Sequence, residues 1–207
     1  MDPQKANILI AEDDPSVRTS LEQVFSTLGY VVRAVTDGLQ AVAALRETVP
    51  DILLSDLNMP GMSGYELLSI VNRRFPKVRS IAMSGAFPSD GIPRGLAADA
   101  FYEKGRGIPT LLKTMETAQA TERAAPDPEN IIWMEKIDYE ACSEDTVMLT
   151  CPECFRAFPQ AIAQGASSMV LDASCLYCGG SIVFAVVPTL DTIFAVPYKP
   201  PSRLRPN

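Results

Sequence analysis

The sequence predicts an α/β fold, a five-stranded doubly wound parallel sheet, followed by a small β-rich domain. Three observations support this prediction. Apolar segments alternate with amphipathic ones along the N-terminal part of the chain, as in repeated βα units with right-handed crossovers. A stretch rich in alanine and proline follows. The last third of the 207 residues holds short β-branched and aromatic segments together with all five cysteines.

The βα units can be placed in chain order. Strands are predicted at Asn7–Ala11, Tyr30–Ala34, Ile52–Ser55, Ser80–Met83 and Ala100–Glu103. The first helix is predicted between Asp14-Pro15, a typical helix start, and Gly29, because its apolar residues recur at helical spacing. By the same reasoning, further helices are predicted near residues 39–45, 65–72 and 108–123.

The chain is predicted to contain two domains. We assign residues 1–122 to the α/β domain, 123–130 to a linker, 131–197 to a second domain and 198–207 to a disordered tail. The linker has two prolines and little that could pack. In the second domain, strands are predicted at Thr146–Thr150, Ser168–Asp172, Ser181–Val187 and Thr192–Val196. A domain of this size needs a metal or a similar cross-link for stability.

Composition excludes several classes of protein. The net charge of −7 disfavours binding to a phosphate backbone, although it does not exclude a nucleic acid partner. The chain has no histidine, which excludes histidine phosphotransfer within the chain, histidine-dependent triads and histidine-ligated metals. We find neither an apolar stretch long enough to span a membrane nor a signal peptide, and we therefore expect a cytoplasmic protein.

Acidic residues stand at the ends of two predicted strands. Glu12 and Asp13 follow the first strand, and Asp56 follows the third. Because the carboxyl ends of parallel strands share one edge of the sheet, these carboxylates are expected to crowd together. Such a cluster is unfavourable without a cation, and oxygen-only ligands select a hard ion such as Mg²⁺. The structural alternative is that Asp13 or Asp14 simply caps the first helix.

Two more strand ends complete the pattern, with Ser84 after the fourth strand and Lys104 after the fifth. Residues 5–122 now resemble the receiver domain of two-component response regulators, whose sheet is flavodoxin-like. Separate segments agree with that family in residue type, order and approximate spacing. The residues that carry the resemblance are Glu12, Asp13, Asp56, Asn58, Ser84, Phe101 and Lys104.

The resemblance implies a phosphorylation site. Asp56 matches the phosphoacceptor, which a histidine kinase, a phosphotransfer protein or a small phosphodonor would load. Glu12 and Asp13 match the acidic pair that holds Mg²⁺ together with Asp56 and the backbone carbonyl of Asn58. Electrostatics supports these roles, because a carboxylate attacks phosphorus only if the incoming negative charge is neutralised. No enzymatic activity is expected beyond self-phosphorylation and self-dephosphorylation.

The resemblance also implies a conformational switch. Lys104 matches the lysine that pairs with the phosphoryl oxygens, Ser84 the hydroxyl that moves to bond them, and Phe101 the aromatic residue that turns inward. Two features depart from the family. Lys104 precedes Gly105-Arg106-Gly107 instead of the usual proline, and the segment before the fifth strand is short and rich in proline and glycine. The usual dimerisation face, and the usual relay through it, are therefore in doubt.

The cysteines form a metal-binding pattern. Cys151, Cys154, Cys175 and Cys178 follow a C-x₂-C-x₂₀-C-x₂-C spacing that resembles a zinc ribbon. Four thiolates select Zn²⁺, and a four-cysteine site is structural because it leaves no open position. The alternatives are cysteines buried in a β core or a redox pair. Cys142 lies outside the pattern and is expected to be an ordinary buried thiol.

The second domain is expected to act as an output or docking module. Acidic residues outnumber basic ones by ten to five over residues 126–207, and the segments at Ile131–Met134 and Phe155/Phe158 offer apolar surface. This favours a protein partner. Equally open is that Trp133 and the phenylalanines form the domain core. The competing hypothesis is a DNA-binding transcriptional regulator that uses the ribbon and a basic tail with Arg203 and Arg205.

Overall fold

The computed structural model describes residues 6–85, 96–122, 131–135, 146–162, 169–187 and 202–203. The chain divides into two compact units, Met1–Ala125 and Pro126–Asn207. Within the described part of the chain, none of the helices combines the length and the apolar character that crossing a bilayer requires.

The N-terminal unit is a doubly wound parallel sheet, as predicted. Its strands lie in the order β2-β1-β3-β4-β5, and all neighbouring pairs are parallel. The strands are β1 (Asn7–Ala11), β2 (Val31–Val35), β3 (Ile52–Asp56), β4 (Arg79–Ser84) and β5 (Ala100–Glu103). The helices of its described part are α1 (Pro15–Thr27), α2 (Gly38–Glu47), α3 (Gly64–Arg74) and α4 (Ile108–Ala120).

Burial explains why these strands are so apolar. The central strand β3 is buried along its whole length, and β1 is buried from its second residue onward. One face of the sheet packs on α1 and α4, which contribute Leu21, Phe25, Leu111 and Met115 to a single core. Strands covered on both faces read as continuous hydrophobic runs, which is how the sequence revealed them.

Side-chain caps begin three of the helices. Asp14 accepts hydrogen bonds from the backbone amides of Ser16 and Val17, at 2.7 and 3.2 Å. Asp37 and Ser63 cap α2 and α3 in the same way. The capping alternative is therefore correct for Asp14, whereas Asp13 makes no such contact among the described residues. These caps fix where each helix begins, immediately after the strand-end loops.

The C-terminal unit is β-rich, as predicted. A sheet of order β11-β9-β10-β6 lies in it, together with the antiparallel hairpin β7-β8. The strands are β6 (Ile132–Glu135), β7 (Thr146–Thr150), β8 (Ala157–Ala161), β9 (Met169–Ser174), β10 (Ser181–Val187) and β11 (Ser202–Arg203). Ile132, Trp133, Met134 and Phe158 are buried, with Trp133 at 8% exposure. The expectation that these residues form an exposed apolar surface is wrong, and they belong to the core instead.

Some predictions differ from the structure or lie outside it. The prediction missed β6 and β8 as strands. Within the expected disordered tail, Ser202–Arg203 forms β11 and pairs with β9. The segment 86–95, the linker 123–130, Cys142 and the strand expected at Thr192–Val196 lie outside the described residues.

Candidate functional site

An ion-pair cluster lies at the carboxyl edge of the parallel sheet. Lys104 Nζ lies 3.0 Å from Asp56 Oδ2 and 2.8 and 2.9 Å from the two Glu12 carboxylate oxygens. Glu12 is fully buried and Asp56 is 5% exposed. The strand ends that the sequence predicted to converge therefore do so, and one lysine links two buried acids.

Burial and pairing set the charges in this cluster. Burial raises the pKa of Asp56, and the nearby Lys104 ammonium offsets only part of the rise. The pKa of Glu12 is also raised, mainly by burial and against the hydrogen bond from Lys104. Burial lowers the pKa of Lys104, but its two acidic partners outweigh this effect and hold the pKa above its usual value. Lys104 thus stays charged and shares one positive charge between two carboxylates.

The donor atoms fit a divalent cation. One carboxylate oxygen from each of Glu12, Asp13 and Asp56 lies within 4.8 Å of those of the other two. Glu12 Oε2 is buried and accepts no hydrogen bond from the described residues, although it forms an ion pair with Lys104 Nζ. This oxygen belongs to a cluster of carboxylate oxygens that carries excess negative charge. Mg²⁺ prefers such a set of oxygen donors.

The remaining predicted site residues lie around this cluster. Ser84 ends β4 and is buried, and its carbonyl accepts a 2.8 Å hydrogen bond from the Lys104 amide. Phe101 lies on β5 opposite Ala82 and is half-buried. Asn58 is exposed in the loop after β3. Among the described residues no peptide bond is cis, and Gly105, which follows Lys104, adopts a φ of 93°.

Gly64 lies against the backbone at the end of β3, a contact that the sequence did not reveal. Its amide donates a 2.9 Å hydrogen bond to the carbonyl of Leu57. A Cβ atom at Gly64 would lie 1.9 Å from the Asp56 carbonyl oxygen and 2.8 Å from Leu57 Cα. Only glycine lets α3 begin this close to the end of β3.

Replacing Gly64 with alanine is expected to destabilise the N-terminal unit by about 1–3 kcal/mol, because backbone atoms must move apart. The free energy of unfolding by guanidinium, followed by circular dichroism, measures the effect. Gly85→Ala is the matched control, since among the described residues its Cβ would meet only Lys104 Cβ, at 3.9 Å. Equal stability of the Gly64→Ala and Gly85→Ala variants would contradict this close approach.

The four cysteines of the C-terminal unit lie together. Their Sγ atoms are all within 4.8 Å of one another, and none of the four is in a disulfide. The Sγ atoms of Cys151 and Cys178, and those of Cys154 and Cys175, make contacts of 3.6 Å. Each pair joins one CxxC turn to the other, so the chain brings the two turns face to face around a common centre.

The two turns have matching backbone geometry. The amides of Glu153 and Tyr177 each donate to a cysteine sulfur at 3.4 Å. The first turn joins β7 to β8, and the second joins β9 to β10. Phe155 and Gly179 take the same place in their turns, with φ of 59° and 71°. Phe155 thus adopts the left-handed conformation, which glycine adopts more readily than phenylalanine.

The cluster is chemically suited to a thiophilic cation. Burial raises the pKa of Cys151 to about 12, whereas amide donors from Tyr177 and Cys178 outweigh burial and lower the pKa of Cys175 to about 6. The Arg156 guanidinium lies 5.2 Å from the centre of the Tyr177 ring, which links the two turns by a cation–π contact. Four converging sulfurs with amide donors fit Zn²⁺.

Gly179→Ala is expected to destabilise the C-terminal unit by about 1–2 kcal/mol, because the left-handed backbone conformation is unfavourable for alanine. Steric crowding is not the cause, since a Cβ at Gly179 would meet none of the described residues within 4 Å. Trp133 is the one tryptophan of the chain and lies in this unit, so its fluorescence reports the unfolding. Gly179→Asn is the matched variant and is expected to lose less, because asparagine tolerates this conformation. An equal loss in both variants would argue against backbone strain.

A doubly wound sheet with a lysine-linked acid cluster at the carboxyl ends of its strands is the architecture of a receiver domain. Sequence comparison agrees, because residues 8–105 match the response regulator receiver domain family. The receiver prediction is thereby confirmed for this part of the chain. The match ends before the first of the four clustered cysteines.

The relatives support the same conclusion. The DNA-binding transcriptional regulator NtrC of Proteus hauseri is 32% identical over 129 residues, which are 61% of this chain and 27% of that protein. The DNA-binding response regulator MtrA of Mycolicibacterium smegmatis is 38% identical over 71 residues, 34% of this chain and 31% of that protein. The chain therefore spans less than a third of the length of these relatives.

Solved structures agree in fold. A two-component response regulator of the LuxR family from Aurantimonas sp. SI85-9A1 matches with a TM-score of 0.52 and 26% identity, over 61% of this chain and 92% of that one. The chemotaxis response regulator CheY4 of Vibrio cholerae matches with a TM-score of 0.51 and 24% identity, over 55% of this chain and 98% of that one. This second likeness concerns the fold alone.

Proposed function

We propose that this chain is a cytoplasmic two-component response regulator that accepts a phosphoryl group on Asp56. The donor is a histidine kinase, a phosphotransfer protein or a small phosphodonor. The observation that carries the proposal is the buried Glu12–Lys104–Asp56 cluster at the carboxyl edge of the sheet. It places a nucleophilic carboxylate beside a fixed cation, which is what transfer of a charged phosphoryl group needs.

Each residue of the cluster has a distinct part in this reaction. One carboxylate oxygen of Asp56 accepts a 2.8 Å hydrogen bond from the backbone amide of Leu57, which orients the carboxylate. Glu12, Asp13, Asp56 and the Asn58 carbonyl are the residues that would hold Mg²⁺, which when bound neutralises charge on the phosphoryl oxygens. Lys104 then exchanges a carboxylate partner for a phosphoryl oxygen. The reaction is self-phosphorylation and self-dephosphorylation, with no further enzymatic activity.

The readout of phosphorylation is proposed to begin at Ser84 and Phe101. Ser84 ends the neighbouring strand and is buried, so its hydroxyl reaches a phosphoryl group on Asp56 only by a local movement. Phe101 is half-buried on β5 and can fill the space that this movement opens. The trigger is thus a local change of charge that biases a two-state element.

The C-terminal unit is proposed to be a zinc ribbon that contacts a protein partner. Zn²⁺ would be held by Cys151, Cys154, Cys175 and Cys178 as a closed structural site. The aromatic surface expected at Trp133 is core, but Leu176 and Tyr177 are 71% and 53% exposed on the second turn. Together with the acidic balance of residues 126–207, this apolar tip suits a protein better than a phosphate backbone.

DNA binding is the second candidate, favoured by the named activity of the relatives NtrC and MtrA. Their match to this chain covers about the length of a receiver domain, so the likeness says little about the cysteine unit. Under this hypothesis the ribbon and the basic residues Arg203 and Arg205 contact the duplex. The chain's overall charge opposes such binding.

The two candidates predict different salt responses. We expect the full chain to show no saturable binding to random-sequence duplex DNA, measured by fluorescence anisotropy at two salt concentrations. Tight binding that weakens steeply with salt, and that Arg203→Ala with Arg205→Ala reduces, would favour the DNA-binding candidate instead.

A further inference from the structure

The four clustered cysteines differ in their access to solvent. Cys151 and Cys175 are buried, Cys154 is half-buried and Cys178 is exposed. The sulfur of the exposed Cys178 lies 3.6 Å from that of the buried Cys151. The cluster therefore places the sulfur of an exposed residue next to the sulfur of a buried one.

We propose that Cys178 is a peroxide-modification site and that Cys151 is its resolving cysteine, so that oxidation ejects the metal. This inference rests on the proposed zinc site and adds its regulation. Susceptibility of a cysteine to oxidation follows thiolate character and exposure, and a metal-bound cysteine is a thiolate. Each of the four proposed ligands is a thiolate when metal is bound, and Cys178 is the one among them that is an exposed residue.

The chemistry balances with a hydroperoxide as the oxidant. The Cys178 thiolate attacks one peroxide oxygen, the O–O bond breaks and hydroxide leaves, which gives a sulfenic acid. The Cys151 thiolate then attacks the Cys178 sulfur, forming the S–S bond and releasing a second hydroxide. One peroxide has taken two electrons, and the metal has lost two of its four ligands.

The second close pair predicts how oxidation proceeds. After the first disulfide, Cys154 and Cys175 are the two remaining thiolates, and their sulfurs lie 3.6 Å apart. A second peroxide is expected to join them in the same way. Both disulfides cross between the turns, whereas oxidation without this geometry would form the bonds within each CxxC turn.

The connectivity can be read in the intact chain. The zinc-loaded protein, carrying Cys142→Ser to remove the remaining thiol, is treated with hydrogen peroxide while a chromophoric chelator records released zinc. Trypsin cuts after Arg156 and separates Cys151 and Cys154 from Cys175 and Cys178. Cleavage after Glu153 and after Tyr177 then separates the members of each turn, and mass spectrometry identifies the linked peptides. Dimedone traps the first sulfenic acid.

We expect release of one zinc per first disulfide, dimedone on Cys178, and linkage of Cys151 to Cys178. Dimedone mainly on Cys154, bonds within the CxxC turns, or zinc retained under peroxide would overturn the inference. Because Cys178→Ser removes a proposed ligand, the site of attack is established by trapping and not by that variant. A protein that carries no zinc before treatment would instead refute the proposed zinc site, and this inference with it.

Discussion

Phosphoryl uptake from acetyl phosphate and Mg²⁺ is expected to fall to background when Asp56 is replaced by asparagine. The amide has the shape of the carboxylate but no nucleophilic oxygen, and it cannot pair with Lys104. Covalent phosphate, measured by intact-protein mass spectrometry as one added phosphoryl group per chain, is the readout. Glu12 still pairs with Lys104 in the buried cluster of this variant, and the fold is therefore expected to be retained.

The matched control for this experiment is Asp14→Asn. Asp14 is exposed and caps α1, and asparagine caps a helix about as well as aspartate. This variant therefore removes a carboxylate near the site and is expected to accept phosphate as wild type does. Uptake by the Asp56→Asn variant equal to that of the Asp14→Asn variant would show that the acceptor is misassigned.

A Lys104 variant adds the free energy of unfolding as a second readout to the same experiment. Without its ammonium group, Glu12 and Asp56 face each other buried and unpaired, and their pKa values rise further. Lys104→Met is therefore expected to lower both the phosphorylation rate and the free energy of unfolding. Asp56→Asn is expected to lower the rate alone, which separates the acceptor from the residue that neutralises charge.

The parallel sheet was predictable because its signals are local. Asn7–Ala11 and Ala100–Glu103 were predicted to the residue, since buried strands read as unbroken apolar runs. The acid cluster followed from topology, because the carboxyl ends of parallel strands share an edge. What could not be seen is Gly64, whose contact with the Asp56 carbonyl depends on how closely α3 approaches β3.

The C-terminal unit was harder to predict for a physical reason. Pro159 lies inside β8, and a proline normally argues against a strand. Among the described residues, however, β8 pairs only with β7, and a proline is tolerated on such an edge strand. The strand β6 pairs in parallel with β10, about fifty residues later, so its partner has no local signal. The cysteine spacing, by contrast, predicted the cluster correctly because a CxxC turn is a local structure.

Loss of one cluster ligand is expected to unfold the C-terminal unit. Cys151→Ser removes a fully buried sulfur whose pKa of about 12 leaves it protonated until a metal displaces the proton. In a small unit the binding free energy of the metal is a large part of the folding free energy. We therefore expect zinc content to fall from about one per chain to near zero, with a loss of stability of more than about 4 kcal/mol.

Fluorescence of Trp133 follows this unfolding, because Trp133 lies buried in β6. The N-terminal unit has its own core, so phosphoryl uptake by the Cys151→Ser variant is expected to persist. Cys142→Ser is the matched control, since it makes the same chemical change outside the cluster and is expected to leave zinc content and fluorescence unchanged. If Cys151→Ser keeps both its zinc and its tryptophan signal, the four sulfurs do not bind a metal that folds this unit. If it loses the signal but the wild-type protein never held zinc, Cys151 stabilises the unit as a buried thiol.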